Sequence, residues 1–181
     1  MTSATPKQYG IFPTQSVPQH YLIDYWTKMY ESGRLRYRLC DIRDPTLKDV
    51  HDMLANPQML TFNVYEPERD ELTGEIMLCN FTGKAAQLHY STHPDNTPQH
   101  NQYLCRSVTD DILDRWTEAK GSDIPFLYSL YGLVPVTNRV ACAYGHRMGF
   151  KKMGVLPFGQ RMNGDDFVDA MVFIKISKRI E

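Results

Sequence analysis

The sequence lacks paired cysteines and long apolar runs. Its four cysteines, Cys40, Cys79, Cys105 and Cys142, form no CxxC pair and stand mostly among apolar residues, where a free thiol behaves as a small hydrophobic side chain. No segment approaches the roughly 18 apolar residues of a membrane span, and the opening MTSATPKQYGIF lacks the basic start and apolar run of a signal peptide. We therefore expect reduced, structural cysteines, no membrane partner and a location in the cytosol.

The chain also lacks an excess of charge of either sign. Its 20 Lys and Arg residues against 21 Asp and Glu residues leave a formal net charge of -1, so no sequence-wide attraction draws it to nucleic acid. A P-loop lysine motif, a dinucleotide glycine fingerprint and the chain order of a Ser-His-Asp triad are missing too. These absences argue against nucleic-acid binding, nucleotide hydrolysis, hydride transfer and triad hydrolysis.

The N-terminal part predicts an arm followed by an aromatic helix. A length of 181 residues suits one domain, and we divide the chain into an arm with its helix over 1–36, packed on a single domain over 37–181. Ser16 and Gln19 fit a capping box, and Tyr21, Tyr25 and Trp26 recur at helical spacing before Ser32-Gly33 ends the run. This aromatic face predicts either core packing against a sheet or a surface for a lid or a protein partner.

The remaining patterns predict alternating strands and helices. Strands are expected over 37–43, at a short edge over 61–65, in a hairpin over 74–92, over 124–134, and in two terminal runs around the turn 163–166. Helices are expected from Asp44-Pro45 to Asn56-Pro57, over 137–148, and along Leu104, Val108, Ile112 and Trp116 until Gly121. The order indicates a single mixed α/β domain.

The helix over 137–148 carries a family resemblance. It begins at Asn138, has Ala141 three residues on and stops at Gly149-Phe150, and it lies between a buried strand and two terminal strands. This spacing resembles the GCN5-related N-acetyltransferases, the GNAT family, of which the chain looks like a divergent member. The resemblance covers about residues 37–177. It implies a mixed, mostly antiparallel central sheet flanked by helices, with the aromatic N-terminal helix as an extra element.

The resemblance also implies a cofactor site for acetyl-CoA or another acyl-CoA. In the family the acyl-CoA lies where two neighbouring strands splay apart, its pantetheine bonds an open strand edge, and its pyrophosphate caps a helix N-terminus. The implied edge is the strand segment with Leu88, Tyr90 and Thr92, and the implied helix begins near His100 and Gln102. Asn138 at the next helix start completes the expected cofactor-binding set.

Two departures from the family pattern concern this site. His93-Pro94-Asp95 matches the start of the family's phosphate turn, but His100 and Gln102 stand where two small residues let the backbone approach phosphate. The family's catalytic tyrosine position, seven residues after Asn138, is Gly145, and the neighbouring Tyr144 is turned by about 100° on the helix. We expect an unusual phosphate turn, with Tyr144 as a candidate acid or a core aromatic.

Acyl transfer to an amine also requires a base. The candidates are Glu75 at a strand start, which otherwise fits a solvated charge, and His89 on the strand lining the gap, which otherwise fits a hydrogen-bonded sheet residue. His89, His93 and His100 do not share one helix, so we expect no metal site.

Two main functions stay open on this evidence, and a nucleic-acid-modifying relative of the GNAT family is a third that the charge disfavours. The first is a divergent GNAT-type N-acyltransferase that moves an acyl group from acyl-CoA to an unidentified amine of a small molecule or protein. The second is a GNAT-like binding or assembly protein, of a kind that occurs among bacteriophage proteins, which has lost catalysis and docks a partner at Tyr21, Tyr25 and Trp26. Such a protein would lie in the host cytoplasm or the virion.

Overall fold

One seven-stranded sheet organises the molecule. The computed structural model describes residues 9–115, 127–164 and 166–178. The strands are β1 (Gly10–Pro13), β2 (Leu60–Glu66), β3 (Glu71–Thr82), β4 (Ala85–Thr92), β5 (Ser129–Pro135), β6 (Lys151–Met162) and β7 (Asp166–Ile176). They lie in the order β1-β2-β3-β4-β5-β7-β6. Every neighbouring pair is antiparallel except β4 and β5, so the predicted mixed, mostly antiparallel sheet is confirmed.

Helices cover both faces of this sheet. They are α1 (Gln19–Glu31), α2 (Leu35–Arg38), α3 (Leu47–Leu54), α4 (Pro98–Arg115) and α5 (Arg139–Arg147). Buried residues of α1, α2 and α3 form one core with Leu72, Met77 and Cys79. Buried residues of α4 form a second core with the opposite side of the sheet, including Ile76 and Leu130. Within the described residues, no helix is long and apolar enough to cross a membrane.

Residues 37–43 are not the predicted strand. The chain there is helix α2 and an irregular turn, because Leu35 and Leu39, four residues apart, are buried on the same side. The charged side chain of Arg38 in this helix is also buried. A strand does form over 61–65, as part of β2, but it is not at the edge of the sheet, because β1 pairs along its outer side.

Two helix starts differ from the prediction. Ser16 donates to the Pro13 carbonyl within a 3-10 turn, and α1 begins without a side-chain cap. Helix α3 instead has a capping box, in which the side chain of Thr46 accepts from the Asp49 N–H and the side chain of Asp49 accepts from the Thr46 N–H. Trp116, Gly121 and the first residues of the strand predicted over 124–134 lie outside the described residues.

The end of α5 explains its Gly-Phe stop. The Gly149 N–H donates to the His146 carbonyl and the Phe150 N–H donates to the Gly145 carbonyl, at 3.1 Å each. This paired closure requires a left-handed residue after the helix, and Gly149 has φ +84°. Phe150 then enters the core on the α4 side. The motif thus sets the direction in which the chain leaves α5 for β6.

Candidate functional site

Strands β4 and β5 part in the middle of the sheet. They pair only between residues 85–87 and 129–131. Beyond that point β4 stays paired with β3 as far as Thr92, and β5 stays paired with β7 as far as Pro135. The β4 edge over 88–92 therefore faces a gap instead of a neighbouring strand, as the resemblance implied.

A cleft of about 340 Å³ occupies this gap. We call it the β4–β5 cleft. Its lining comes from five parts of the fold: Met29, Arg34, Tyr37, Arg38 and Cys40 from the α1–α2 side, Leu88, His89, Tyr90, Ser91 and Thr92 from β4, Leu133, Val134 and Pro135 from β5, Asn138 and Ala141 from the start of α5, and Gln160 from β6. Five predicted site residues are thus brought together: Leu88, His89, Tyr90, Thr92 and Asn138. Glu75, His100, Gln102 and Tyr144 are not among the lining residues.

Asn138 has a defined structural task at the cleft. Its side-chain oxygen accepts a hydrogen bond from the Ala141 N–H at 3.0 Å and so caps α5. The family spacing of Asn and Ala thereby places the start of α5 beside the parted strands.

Glu75 belongs to a buried ion pair and is not a solvated charge at a strand end. Its side chain is fully buried in the middle of β3. Arg38 of α2 donates to both of its oxygens, at 2.9 Å and 3.0 Å, in the bidentate geometry that suits guanidinium and carboxylate. The pair adjoins the cleft, because Arg38 also contributes to the lining.

Ser91 links this ion pair to the cleft. The Ser91 hydroxyl donates to Glu75 Oε2 at 3.2 Å and lies 2.9 Å from the Tyr25 hydroxyl. The sequence did not predict Ser91 or Arg38 as site residues, and it predicted Tyr25 only for core packing or for a lid or partner surface. The hairpin register could have found Ser91, since it stands opposite Glu75 on the neighbouring strand. The α2 misassignment concealed Arg38.

His89 lines the cleft as a neutral imidazole. Burial, together with the nearby positive charge of Arg38, lowers the pKa of His89 to about 3. The ring is therefore uncharged near neutral pH and has a nitrogen lone pair, but it is a weak base.

Side chains within the turn before α4 bond two of its backbone donors. The His100 N–H donates to Thr97 Oγ1, and the Asp95 N–H donates to His93 Nδ1, at 3.2 Å each. Pro98 has no N–H. The exposed carboxylate of Asp95 adds negative charge at the same place. A pyrophosphate would have to compete for these donors, which agrees with the unusual phosphate turn expected from the sequence.

His100 and Gln102 lie in the first turns of α4, outside the cleft lining. The His100 side chain turns towards the sheet, where Nε2 lies 3.0 Å from the buried Glu66 carboxylate and 3.3 Å from Thr73 Oγ1. Asn96 locks the turn to the same strand by donating to the Thr73 carbonyl at 2.8 Å. His100 and Asn96 thus both attach this part of the chain to β2 and β3.

Tyr144 is neither in the cleft nor in the core. It is half-buried, and its hydroxyl donates to the Pro98 carbonyl at 3.1 Å, joining α5 to the start of α4. A Cβ at the neighbouring Gly145 would stand 3.2 Å from the Phe173 ring. The glycine therefore permits close packing of α5 on β7, and no α5 tyrosine reaches the cleft.

The aromatic helix packs on the sheet. Tyr25 and Trp26 are 1% and 4% exposed, so these two side chains pack in the core, which is one of the alternatives expected for this helix. Tyr21 is bonded through its hydroxyl to Asp70.

Two solved structures with a similar fold are acetyltransferases by name. The spermidine N-acetyltransferase from Vibrio cholerae in complex with CoA and spermine aligns with 96% of this chain and 99% of its own, at 15% identity and a TM-score of 0.68. The ribosomal-protein-S5-alanine acetyltransferase from Vibrio fischeri aligns over 98% and 96%, at 12% identity and a TM-score of 0.64. No family model and no curated protein matches the sequence. Similarity at these identities shows a shared fold.

Proposed function

Since the chain has the GNAT fold, we propose that it is an N-acyltransferase that takes acetyl-CoA or another acyl-CoA into the β4–β5 cleft and transfers the acyl group to an amine. The observation that carries this proposal is the parting of β4 and β5 after residues 87 and 131. The parting exposes a strand edge inside a cleft lined by both apolar and polar side chains.

The cleft suits the pantetheine arm of acyl-CoA better than its pyrophosphate. The amide groups of a pantetheine arm can exchange hydrogen bonds with the open edge over 88–92, as an added strand does. The turn at Thr97 and Pro98 offers few uncommitted donors to the pyrophosphate. Affinity should therefore come mainly from the pantetheine and acyl parts.

The residues around the cleft can manage the proton of the acceptor amine. The amine nitrogen bonds to the thioester carbonyl carbon, the carbon–sulfur bond breaks, and the nitrogen loses one proton. We assign this proton to the Ser91 hydroxyl, which passes its own proton to Glu75 along the 3.2 Å hydrogen bond. His89 offers a neutral second acceptor, but its low pKa makes it the weaker one.

The absence of an α5 tyrosine at the cleft is compatible with turnover. The leaving group is a thiolate, and thiols have an ordinary pKa of about 8.5. A thiolate can thus depart with little help from an acid and take a proton from solvent afterwards.

The second candidate is a non-catalytic GNAT-like binding or assembly protein, as found among bacteriophages. The internally bonded turn before α4 and Gly145 at the tyrosine position favour it. The cytosol is the proposed compartment for the enzyme, and the host cytoplasm or the virion is the proposed location for the second candidate.

Product analysis tests the proposal. The protein is mixed with acetyl-CoA and a panel of amino acids, polyamines and peptide N-termini, and released CoA thiol and acetylated amine are measured together. We expect amine-dependent release, reduced at least about 100-fold by Ser91→Ala. Ser129→Ala is the matched control, because Ser129 lies on β5 outside the cleft lining. Binding of acetyl-CoA without acetylation of any amine would favour the non-catalytic candidate.

A further inference from the structure

The charged side chains that line the β4–β5 cleft are all positive. Among the described residues its lining contains Arg34 and Arg38 and no Asp or Glu. The charge of Arg38 is balanced by the buried carboxylate of Glu75, which holds both ends of its guanidinium fork. Arg34 therefore sets the net charge that a ligand in the cleft meets.

Arg34 is placed to receive an anion. It is half-buried at the position immediately before α2. Its Nη1 donates to the His93 carbonyl at 3.3 Å, and no ion pair joins it to a carboxylate in the described part of the chain. A guanidinium carries five N–H donors in a flat fork that matches a carboxylate or a phosphate. A half-buried cation with donors to spare is stabilised when such an anion binds.

We infer that the acceptor is an amine that also carries an acidic group, of the amino-carboxylate class, and that Arg34 binds this group. The inference rests on the proposed function and adds the substrate class to it. A polyamine fits this cleft poorly, because its second ammonium would lose water beside Arg34 without meeting a carboxylate. The acceptor class thus differs from the spermidine and spermine in the names of similar structures.

A phosphate of CoA is the other anion that Arg34 could meet, since His93 begins the turn before α4. An acceptor carboxylate and a CoA phosphate at Arg34 would have different effects on kinetics and binding. A residue that binds the acceptor changes the ranking of amines and leaves CoA affinity alone. A residue that binds a CoA phosphate weakens CoA and slows every amine equally.

Three four-carbon amines test the inference: 4-aminobutyrate, butylamine and 1,4-diaminobutane, whose far ends are a carboxylate, a methyl group and an ammonium. Their kcat/KM values are measured by thiol release from acetyl-CoA, and their affinities by calorimetry on the free protein. We expect 4-aminobutyrate to exceed butylamine by at least about tenfold in both measurements, with the diamine last. Arg34→Met should abolish this ranking, and Arg34→Lys should retain part of it. Arg43→Met is the control, because Arg43 is exposed and lies outside the cleft lining.

A preference for the diamine, or a ranking that survives Arg34→Met, would overturn the inference. So would an Arg34→Met variant that binds acetyl-CoA more weakly and slows all three amines equally. The binding data separate this inference from the proposed function. If 4-aminobutyrate binds through Arg34 and is not acetylated, the anion site is supported and the enzymatic proposal fails.

Discussion

At the scale of single residues, the Arg38–Glu75 pair has the largest energetic consequence. Two buried charges hold each other in bidentate contact, and Ser91 and Tyr25 extend the contact to the cleft. Removing one partner leaves the other charge buried without compensation, which costs more than the pair itself contributes.

Glu75→Gln should therefore destabilise the fold by about 3–5 kcal/mol, measured as the free energy of unfolding in urea. The matched control is Asp52→Asn, which removes the exposed ion pair with Lys48 and should leave the unfolding midpoint unchanged. Equal unfolding midpoints for Glu75→Gln and the wild type would show that Arg38 finds another partner.

His89 gives the fold a pH dependence with a definite sign. Its pKa is about 3 in the folded protein and about 6.5 in an unfolded chain. Between these values the unfolded chain binds a proton that the folded protein does not, so stability falls as the pH falls from about 6.5. One such proton contributes a slope of at most about 1.4 kcal/mol per pH unit.

Urea unfolding of the wild type between pH 7.5 and 4.5 should show this loss, and His89→Gln should have a shallower slope. Some slope should remain, because burial also lowers the pKa of His93. Identical slopes for the wild type and the variant would mean that His89 is protonated in the folded protein.

At the scale of elements, the start of α4 is where this chain departs most from a phosphate site. The Thr97 hydroxyl oxygen already accepts the hydrogen bond of the His100 N–H. Thr97→Ala should lower stability by about 1 kcal/mol, and the freed donor should tighten CoA binding two- to fivefold, as expected for an anion at a helix N-terminus (about 0.3–1 kcal/mol).

The control for this prediction is Thr46→Ala, which removes the equivalent cap from α3 away from the cleft. It should lose similar stability with an unchanged dissociation constant for CoA. Unchanged or weaker CoA binding by Thr97→Ala would mean that the α4 start takes no part in binding.

Helix α5 packs too closely on β7 to hold a tyrosine at position 145. Gly145→Tyr should destabilise the fold by about 1–3 kcal/mol by overpacking against Phe173, without raising activity. Ala143→Tyr, exposed on the same helix, should be neutral in thermal unfolding. A stable and more active Gly145→Tyr protein would contradict this packing argument.

The elements also show what the sequence could predict. The hairpin of β3 and β4, the α5 stop and the two terminal strands follow from periodicity, turn glycines and caps, which are local signals. Helix α2 was missed because burial of the charged Arg38 depends on Glu75, 37 residues away. The contacts of His100 with β2 and β3 were not predicted, because these partners are also remote in sequence.

At the scale of the whole molecule, the architecture assembles the cleft from distant segments. The parted strands provide its walls, the α1–α2 side provides its arginines, and the start of α5 closes one end. The central claim is that acyl-CoA occupies this cleft. Ala141 lines it from α5, and Ala143, two residues on, is exposed, so the two positions allow a matched comparison.

Calorimetric titration with acetyl-CoA is the most direct test. We expect a dissociation constant below about 1 mM, corresponding to more than about 4 kcal/mol of binding. Ala141→Phe should weaken this binding at least tenfold by filling the cleft, whereas Ala143→Phe should leave it unchanged. Binding weaker than about 1 mM for the wild type, or equal affinity for the two variants, would contradict the claim that acyl-CoA binds between β4 and β5.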